Sequence, residues 1–196
     1  MSFRKEQKFR LSNYEIIQLK QNFALNGMKR LHVPRQIFSQ YFDTFDYQMY
    51  HESDEGILPR KKVRCRWYNN TFKKISFEVK TSSVEGRFKT SRDIKVSDYK
   101  NFLMTGINTQ QYGKVYPSAK ISYFREYFLW KSIRITFDTN ICYEFFKSNK
   151  IIKEYDNVIE VKAPIDCPED YLVKVFPIPN SRFSKYTRAI LSHQKN

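Results

Sequence analysis

The feature that most constrains this chain is a set of six short stretches with polar, almost always charged, residues at every second position and mostly apolar residues between them. Because successive side chains of a β-strand point to opposite faces, each stretch predicts a strand with one charged and one apolar face. The charged positions are Arg4-Glu6-Lys8, Arg60-Lys62-Arg64-Arg66, Glu78-Lys80, Arg87-Lys89, Arg134-Thr136-Asp138 and Glu160-Lys162. One such strand is typical of a sheet with a solvated face, whereas six predominantly basic ones favour the inside of a barrel that binds a polyanion.

The overall charge supports an anionic partner. The 196 residues include 35 Lys and Arg against 20 Asp and Glu, a net charge of +15, which exceeds what solubility requires. Nucleic acid, anionic lipid and phosphorylated molecules are the classes of partner that this charge fits. The five glycines form neither a dinucleotide-binding nor a P-loop motif, so both nucleotide folds are disfavoured.

Cysteine and histidine provide no recognisable site. Cys65, Cys142 and Cys167 are odd in number and widely spaced, which favours a reducing compartment and argues against a zinc site. No apolar run approaches the ~20 residues that span a bilayer, and the N-terminus has no signal-peptide pattern. We therefore expect a cytoplasmic protein without a membrane span.

Local patterns predict about eight strands and several helices within one domain, residues 1–196. Ser12 and Glu15 form a capping-box pattern that begins a helix through about residue 25, and Asp46 is a candidate cap for a short helix. Further helical segments are predicted near 98–105 and 168–193. The predicted strands are near residues 3–10, 36–43, 60–68, 73–81, 86–95, 119–130, 132–145 and 156–163.

These elements predict an α+β fold: a closed antiparallel eight-stranded tunnel barrel with a charged lumen, flanked by helices. Closure removes exposed strand edges, and the helices would cover the apolar outer face. Charges at this density cannot be packed dry, because burying each unpaired ion costs several kcal/mol. Water, an anionic ligand and metal ions are expected to fill the lumen.

An ordered series of strings over nearly the whole chain resembles the polyphosphate-polymerase domain of the vacuolar transporter chaperone (VTC) type, within the triphosphate tunnel metalloenzymes. The strings are Tyr41-Phe42-Asp43-Thr44, Arg60 to Tyr68, Glu78-Val79-Lys80, Gly86-Arg87-x-Lys89, Tyr123-x-Arg125, Arg134 to Asp138, Ile159 to Lys162 and Phe183-Ser184-Lys185-Tyr186. Arg4 departs from the wider superfamily, which has an acidic residue there. The departure argues against a second metal site and against simple triphosphate hydrolysis.

The resemblance implies a stand-alone catalytic domain that transfers the terminal phosphoryl group of ATP to a growing polyphosphate chain. The implied partners are ATP and polyphosphate or triphosphate, without nucleic acid, and the implied cofactor is Mn²⁺ or Mg²⁺. Phosphoryl transfer requires in-line positioning and charge neutralisation more than covalent participation by the protein. Oligomeric state and association with a membrane partner are left open.

The resemblance also implies roles for individual residues. Lys185, Arg64 and Arg66 correspond to catalytic groups that contact the reacting phosphates, and Glu160 corresponds to the metal-binding carboxylate. The implied substrate-binding residues are Lys8, Lys62, Lys80, Lys89, Tyr123, Arg125, Arg134, Lys162 and Ser184. Glu6, Glu78 and Asp138 face the same way, and the sequence leaves open whether they bind metal or act as counter-charges for Arg and Lys.

The sequence leaves three alternatives open. A triphosphatase would share the fold but would need more acidic residues near the metal. A non-catalytic module could hold polyphosphate or a nucleotide without turnover. A nucleic-acid binder would place basic residues together with exposed aromatic residues, whereas here basic and aromatic positions alternate.

Overall fold

The computed structural model describes residues 4–146 and 150–194, with the backbone alone at Arg4. The described helices are α1 Asn13–Leu25, α2 Gln48–Glu55, α3 Val96–Thr105, α4 Glu169–Val175 and α5 Lys185–Gln194. The described strands are β1 Arg4–Leu11, β2 Lys29–Asp43, β3 Arg60–Tyr68, β4 Thr71–Ser83, β5 Gly86–Ile94, β6 Ile107–Thr109, β7 Gly113–Trp130, β8 Ile133–Phe145, β9 Ile151–Lys153 and β10 Asn157–Pro164. Among these helices, none is both long enough and apolar enough to span a membrane.

The strands pair in the order β1-β10-β8-β7-β2-β3-β4-β5, with β6 against β7 and β9 against β8. The α+β character is confirmed, but the predicted closure is wrong. The path is open, with β1 and β5 at its two ends and no ladder joining them within the described residues. Each charged stretch specifies which side chains share a face, but that pattern carries no information on which strands become neighbours.

The chain divides into two compact units. Unit 1 contains Met1–Arg35, Tyr123–Ile141 and Lys153–Phe183, and unit 2 contains Gln36–Ser122, Cys142–Ile152 and Ser184–Asn196. Each unit is made of three separate segments of the chain. The sequence shows no linker between the two units. One domain over residues 1–196 therefore stays a prediction.

In unit 1, the apolar positions of β1, β8 and β10 form one side of a core. Phe9, Ile159 and Phe137 are adjacent partners across these three strands, and all three are buried. Ile16 and Phe23 of α1 and Leu172 of α4 pack against this face. The predicted capping box of α1 is confirmed, since the Glu15 amide donates to Ser12 Oγ and the Ser12 amide to Glu15 Oε2.

In unit 2, β3 shows the predicted alternation most clearly. Val63, Cys65 and Trp67 are buried, and the residues between them are partly exposed. Tyr99 of α3 packs with these residues, and Phe102 lies against the same cluster. The face opposite this apolar core carries Lys62, Arg64 and Arg66 of β3.

The predicted helix at 168–193 is instead two helices with different roles. Pro177 and Pro179 lie between α4 and α5, and proline lacks the amide that an uninterrupted helix requires. In unit 2, α5 lies on the charged side of the sheet, because Lys62 Nζ donates to Ser184 Oγ and Tyr186 stacks on Tyr41. The prediction that this segment covers an apolar outer face is therefore wrong for α5.

Other boundaries also differ from the predictions. β2 begins at Lys29 rather than near residue 36, because its first half is largely exposed and has no apolar alternation to reveal it. β7 begins at Gly113, six residues before the predicted start, and the short strands β6 and β9 were not predicted. Three-residue strands are too short to show a period.

Candidate functional site

Three lysines lie side by side on the charged face of unit 2. Lys62 of β3 is the direct partner of Lys80 of β4, and Lys80 is the direct partner of Lys89 of β5. Directly paired residues project from the same face of a sheet, so these three residues form a lysine row. Like charges directly opposite each other destabilise a sheet, and the row therefore marks a place suited to an anion.

The next cross-strand row contains an arginine and a carboxylate. Arg64 is the direct partner of Glu78 and donates from Nε to Glu78 Oε2 at 2.7 Å. Lys89 Nζ donates to Glu78 Oε1 at 3.1 Å, and Arg66 Nη1 lies 4.0 Å from Glu78 Oε2. Burial raises the pKa of Glu78, but Arg64 and Arg66 outweigh this effect and lower the pKa to about 2. Glu78 is therefore a counter-charge that holds these cations in place.

Two residues of β2 complete this face. Arg66 Nε donates to Ser39 Oγ at 3.2 Å, and Arg64 Nη1 donates to Tyr41 Oη at 2.8 Å. Burial raises the pKa of Tyr41, but Arg64, Arg66 and Lys185 together lower it below its ordinary value. The positive potential at the Tyr41 hydroxyl is therefore strong enough to outweigh the cost of burying a phenolate.

The N-terminal end of α5 and the residue before it contribute two of the predicted site residues. Ser184 Oγ accepts hydrogen bonds from Lys62 Nζ at 2.8 Å and from the Thr187 amide at 3.3 Å, which is the geometry of a helix cap. Lys185 is the first residue of α5 and acts electrostatically on Tyr41. Unit 2 thus brings together the predicted residues Lys62, Arg64, Arg66, Lys80, Lys89, Ser184 and Lys185.

Unit 1 has a second polar face, in which cations and carboxylates are mixed. Glu6 of β1 is the direct partner of Lys162 of β10, which in turn is the partner of Arg134 of β8. The next row places Lys8 beside Glu160. Lys162 Nζ lies 2.9 Å from Glu160 Oε1 and 3.7 Å from Glu6 Oε2.

Arg125 lies among carboxylates rather than on an open basic surface. Its Nε and Nη2 atoms donate to the two oxygens of the buried Asp138 at 2.5 and 2.6 Å, and Nη2 lies 3.6 Å from Glu160 Oε2. Its guanidinium also lies over the ring of the buried Tyr123, 5.2 Å from the centroid. Asp138 is thus a counter-charge, and Arg125 is held in one orientation by a bidentate ion pair. Unit 1 brings together Lys8, Tyr123, Arg125, Arg134, Glu160 and Lys162.

Glu160 is the carboxylate of unit 1 to which the resemblance assigns a divalent cation. Burial raises the pKa of Glu160, but Arg125, Lys162 and Lys8 reverse the effect and hold the pKa far below its ordinary value. Within the described ranges, no group of three or more His, Cys, Asp or Glu side chains could hold a metal. This donor set fits Mg²⁺ or Mn²⁺ bound by one or two carboxylates together with substrate phosphates, and it does not fit an all-protein metal cage.

The sequence reasoning missed three residues of the charged face of unit 2. Ser39, Tyr41 and Asp43 occupy alternate positions of β2, and the partners of Ser39 and Tyr41 are Arg66 and Arg64. The buried Asp43 accepts the Met49 and Tyr50 amides in the first turn of α2. Thr44 Oγ1 and the predicted cap Asp46 both interact with the Gln48 amide, so Asp43 shares the capping of that helix with them. The alternation of polar side chains at positions 39, 41 and 43 was the available signal.

Comparison with known proteins identifies relatives at the level of family and fold. A family model described as the VTC domain matches residues 3–193. A proposed adenylate cyclase from Bacillus halodurans has a TM-score of 0.63 at 14% identity, and the match covers 93% of this chain and 94% of that chain. A conserved hypothetical protein from Pyrococcus furiosus has a TM-score of 0.60 at 14% identity, with 94% and 99% covered. No curated protein matches the sequence.

A third similar structure carries a description of activity. It is a proposed adenylyl cyclase from Hippeastrum, described as having a dominant triphosphatase activity, with a TM-score of 0.56 at 15% identity. The match covers 97% of this chain and 96% of that chain. At such identities the likeness establishes the fold and no activity.

Proposed function

Because this chain belongs to the VTC domain family, as the resemblance indicated, we propose that it is a polyphosphate polymerase that transfers the γ-phosphoryl group of ATP to a polyphosphate chain. The observation that carries the proposal is the lysine row of unit 2, which lies beside Arg64 and Arg66. A phosphate chain presents anionic oxygens at short, regular intervals. Such a ligand offsets the repulsion between Lys62, Lys80 and Lys89.

The proposed reaction needs no proton-accepting side chain. A terminal oxygen of the chain, already ionised, attacks the γ-phosphorus of ATP. The bond between the γ-phosphorus and the bridging β,γ-oxygen breaks, and ADP leaves with that electron pair. The charge that builds up on the phosphoryl oxygens is neutralised by positioned cations, and we assign that role to Arg64, Arg66 and Lys185.

The remaining residues bind and orient phosphate groups. In unit 2, Lys62, Lys80 and Lys89 hold phosphates, and Ser184 adds a hydroxyl. In unit 1, Lys8, Arg134 and Lys162 are the proposed phosphate ligands, with Tyr123 adding a hydroxyl and Arg125 held by Asp138. Glu160 would hold Mn²⁺ or Mg²⁺, which when bound supplies further charge neutralisation on phosphate oxygens.

The balance of charges favours transfer to a chain over hydrolysis. Glu78 and Asp138 are each engaged by an arginine, so Glu160 is left as the proposed metal ligand in a site where basic residues are in excess. A site rich in Arg and Lys retains its polyanionic product, and a retained chain is positioned as the next acceptor ahead of water. The triphosphatase alternative shares the substrate and the fold and differs in the acceptor.

A product-resolved assay tests the proposal. Purified protein is incubated with ATP and Mn²⁺ or Mg²⁺, and polyphosphate, ADP and free phosphate are separated. We expect polyphosphate with ADP, and about a 100-fold lower rate in Lys185→Ala and Arg66→Ala. Lys73→Ala is the matched control, because Lys73 is an exposed lysine of β4, the strand that carries Lys80.

Two results would contradict the proposal. ADP and free phosphate without polymer would identify a triphosphatase. Intact ATP, together with stabilisation of the fold by inorganic triphosphate, would identify a non-catalytic polyanion-binding module.

A further inference from the structure

A buried carboxylate in unit 2 links two helices on the charged side of the sheet. Asp43 accepts the Thr44 amide at 2.8 Å and the Met49 amide at 2.9 Å on Oδ1, and the Tyr50 amide at 3.0 Å on Oδ2. The Tyr186 hydroxyl of α5 also donates to Oδ2. Asp43 therefore joins the end of β2 to the first turns of both α2 and α5.

The Asp43 carboxylate is a fixed acceptor because the backbone around it holds it. The residue before α2, Tyr47, has a left-handed backbone and offers no capping side chain, so Asp43 serves the amides of Met49 and Tyr50 instead. Three amide donors leave the carboxylate little rotational freedom. Any group that binds to its remaining lone pairs is held in a defined position.

Tyr186 is held through both its hydroxyl, which also forms a hydrogen bond with Ser118, and its ring. Its hydroxyl donates to Asp43, and its ring stacks on the ring of Tyr41 with centroids 4.9 Å apart and an interplanar angle of 14°. Burial and the nearby Asp43 carboxylate both raise the pKa of Tyr186, so its hydroxyl keeps the proton that it donates. The first turn of α5 is consequently fixed against the sheet.

The same contacts connect α5 to the cations that we propose to bind phosphate. Tyr41 Oη accepts from Arg64 at 2.8 Å, and Lys185 immediately precedes Tyr186 in α5. The position of α5 relative to Arg64 therefore depends on the stacked tyrosines and on the bond from Tyr186 to Asp43.

We propose that Asp43 and Tyr186 are positioning residues that hold Lys185 in the correct place relative to Arg64 for binding adjacent phosphates. This inference rests on the proposed function, since it assigns a purpose to the location of Lys185. In this role Asp43 and Tyr186 need no contact with the substrate. Both act through α5.

The test removes one hydroxyl and keeps the ring. Tyr186→Phe retains the stack on Tyr41, and Asp43 keeps its three amide donors, so the fold persists. We expect the affinity for inorganic triphosphate and the kcat of polymer synthesis to fall about 10- to 100-fold, because small misplacements of a reacting group have effects of this size. Calorimetry separates a weaker Kd from a smaller active fraction, since a merely structural loss lowers the binding stoichiometry and leaves Kd unchanged.

Tyr112→Phe is the matched control. Tyr112 is also in unit 2, and its hydroxyl donates to the Glu52 carboxylate at 2.5 Å. Tyr112→Phe therefore loses the same kind of bond at a residue that lies outside α5. We expect a decrease in the midpoint of thermal unfolding with unchanged triphosphate affinity.

A double-mutant cycle shows whether Tyr186 acts through Lys185. In a Lys185→Ala background, Tyr186→Phe is expected to have no further effect on triphosphate affinity. Equal losses in both backgrounds, or wild-type affinity in Tyr186→Phe, would overturn the inference. Because the readout is triphosphate binding, a protein that binds triphosphate without making polymer contradicts the proposed function and still tests the positioning role. A wild-type protein that binds no triphosphate contradicts both.

Discussion

At the residue scale, a substitution of Glu160 distinguishes a role of this residue in turnover from a role in folding. Glu160→Gln leaves Arg125 with its bidentate partner Asp138, and leaves Lys162 near Glu6 at 3.7 Å. The variant should therefore fold and bind triphosphate, with polymer synthesis reduced about 100-fold. Calorimetry and the product-resolved assay measure the two properties on one preparation. Wild-type rates would remove Glu160 from the mechanism.

Arg125 and Arg134 carry the same charge, but their surroundings predict different behaviour. Arg125→Ala leaves the buried Asp138 without its bidentate partner, and breaking a buried pair in this way costs about 3–5 kcal/mol of stability. Arg134 has no ion pair among the residues that the structure describes, so Arg134→Ala should change stability little and weaken triphosphate binding. Denaturant unfolding of both variants provides the comparison. Equal stability losses would contradict this assignment.

The residue scale also shows what the sequence could not reveal. Alternation correctly placed Arg64, Arg66 and Glu78 on one face, because the pairing of β3 with β4 preserves the alternation. It left open whether Glu78 and Asp138 bind metal or hold cations, since this depends on distances to Arg64, Lys89 and Arg125. The assignment of Arg125 to phosphate binding rested on the resemblance alone, which did not indicate that Asp138 is its bidentate partner.

At the element scale, the ion pairs that Glu78 of β4 forms with residues of β3 and β5 predict how the stability of the fold depends on pH. The pKa of Glu78 is about 2 in the folded protein, against an ordinary value of 4.5. A lowered carboxyl pKa stabilises the fold above the unfolded value, and this stabilisation is lost as the pH falls from about 4.5 towards 2. The contribution is about 3 kcal/mol at neutral pH, since one pKa unit corresponds to about 1.4 kcal/mol.

Comparison with Glu78→Gln isolates this effect from other carboxylates that titrate in acid, Glu160 included. The free energy of unfolding should differ by about 3 kcal/mol between the wild type and the variant at pH 7. The difference should shrink steadily between pH 4.5 and 2. A difference that stays constant over this range would show that the ion pairs of Glu78 do not lower its pKa.

The elements differ in how well the sequence predicted them. β3 and β10 were predicted closely, because each has one buried and one charged face. The exposed first half of β2 has no such signal. The role of α5 depends on contacts of Tyr186 with Tyr41 and Asp43, which precede it by 145 and 143 residues in the sequence. Local patterns contain no information about such distant partners.

At the scale of the whole molecule, the net charge of +15 predicts an anionic ligand, and this stays a prediction, whereas the family match over residues 3–193 confirms the predicted VTC domain. The prediction of a closed barrel was wrong, because the partners of edge strands are decided by the arrangement of all the strands. The chemistry likewise follows from neither charge nor fold. A triphosphatase, a polymerase and a binding module all need a basic surface, and they differ in the acceptor that reaches the γ-phosphorus.

The most direct test of the central claim follows the γ-phosphoryl group itself. ATP labelled in the γ-phosphate is mixed with the protein, Mn²⁺ and an unlabelled polyphosphate chain, and the label is measured in polymer and in free phosphate at short times. We predict that most of the label enters the polymer, and that Lys80→Gln lowers this transfer because it interrupts the lysine row. Label that appears as free phosphate with none in the polymer would contradict the proposed polymerase.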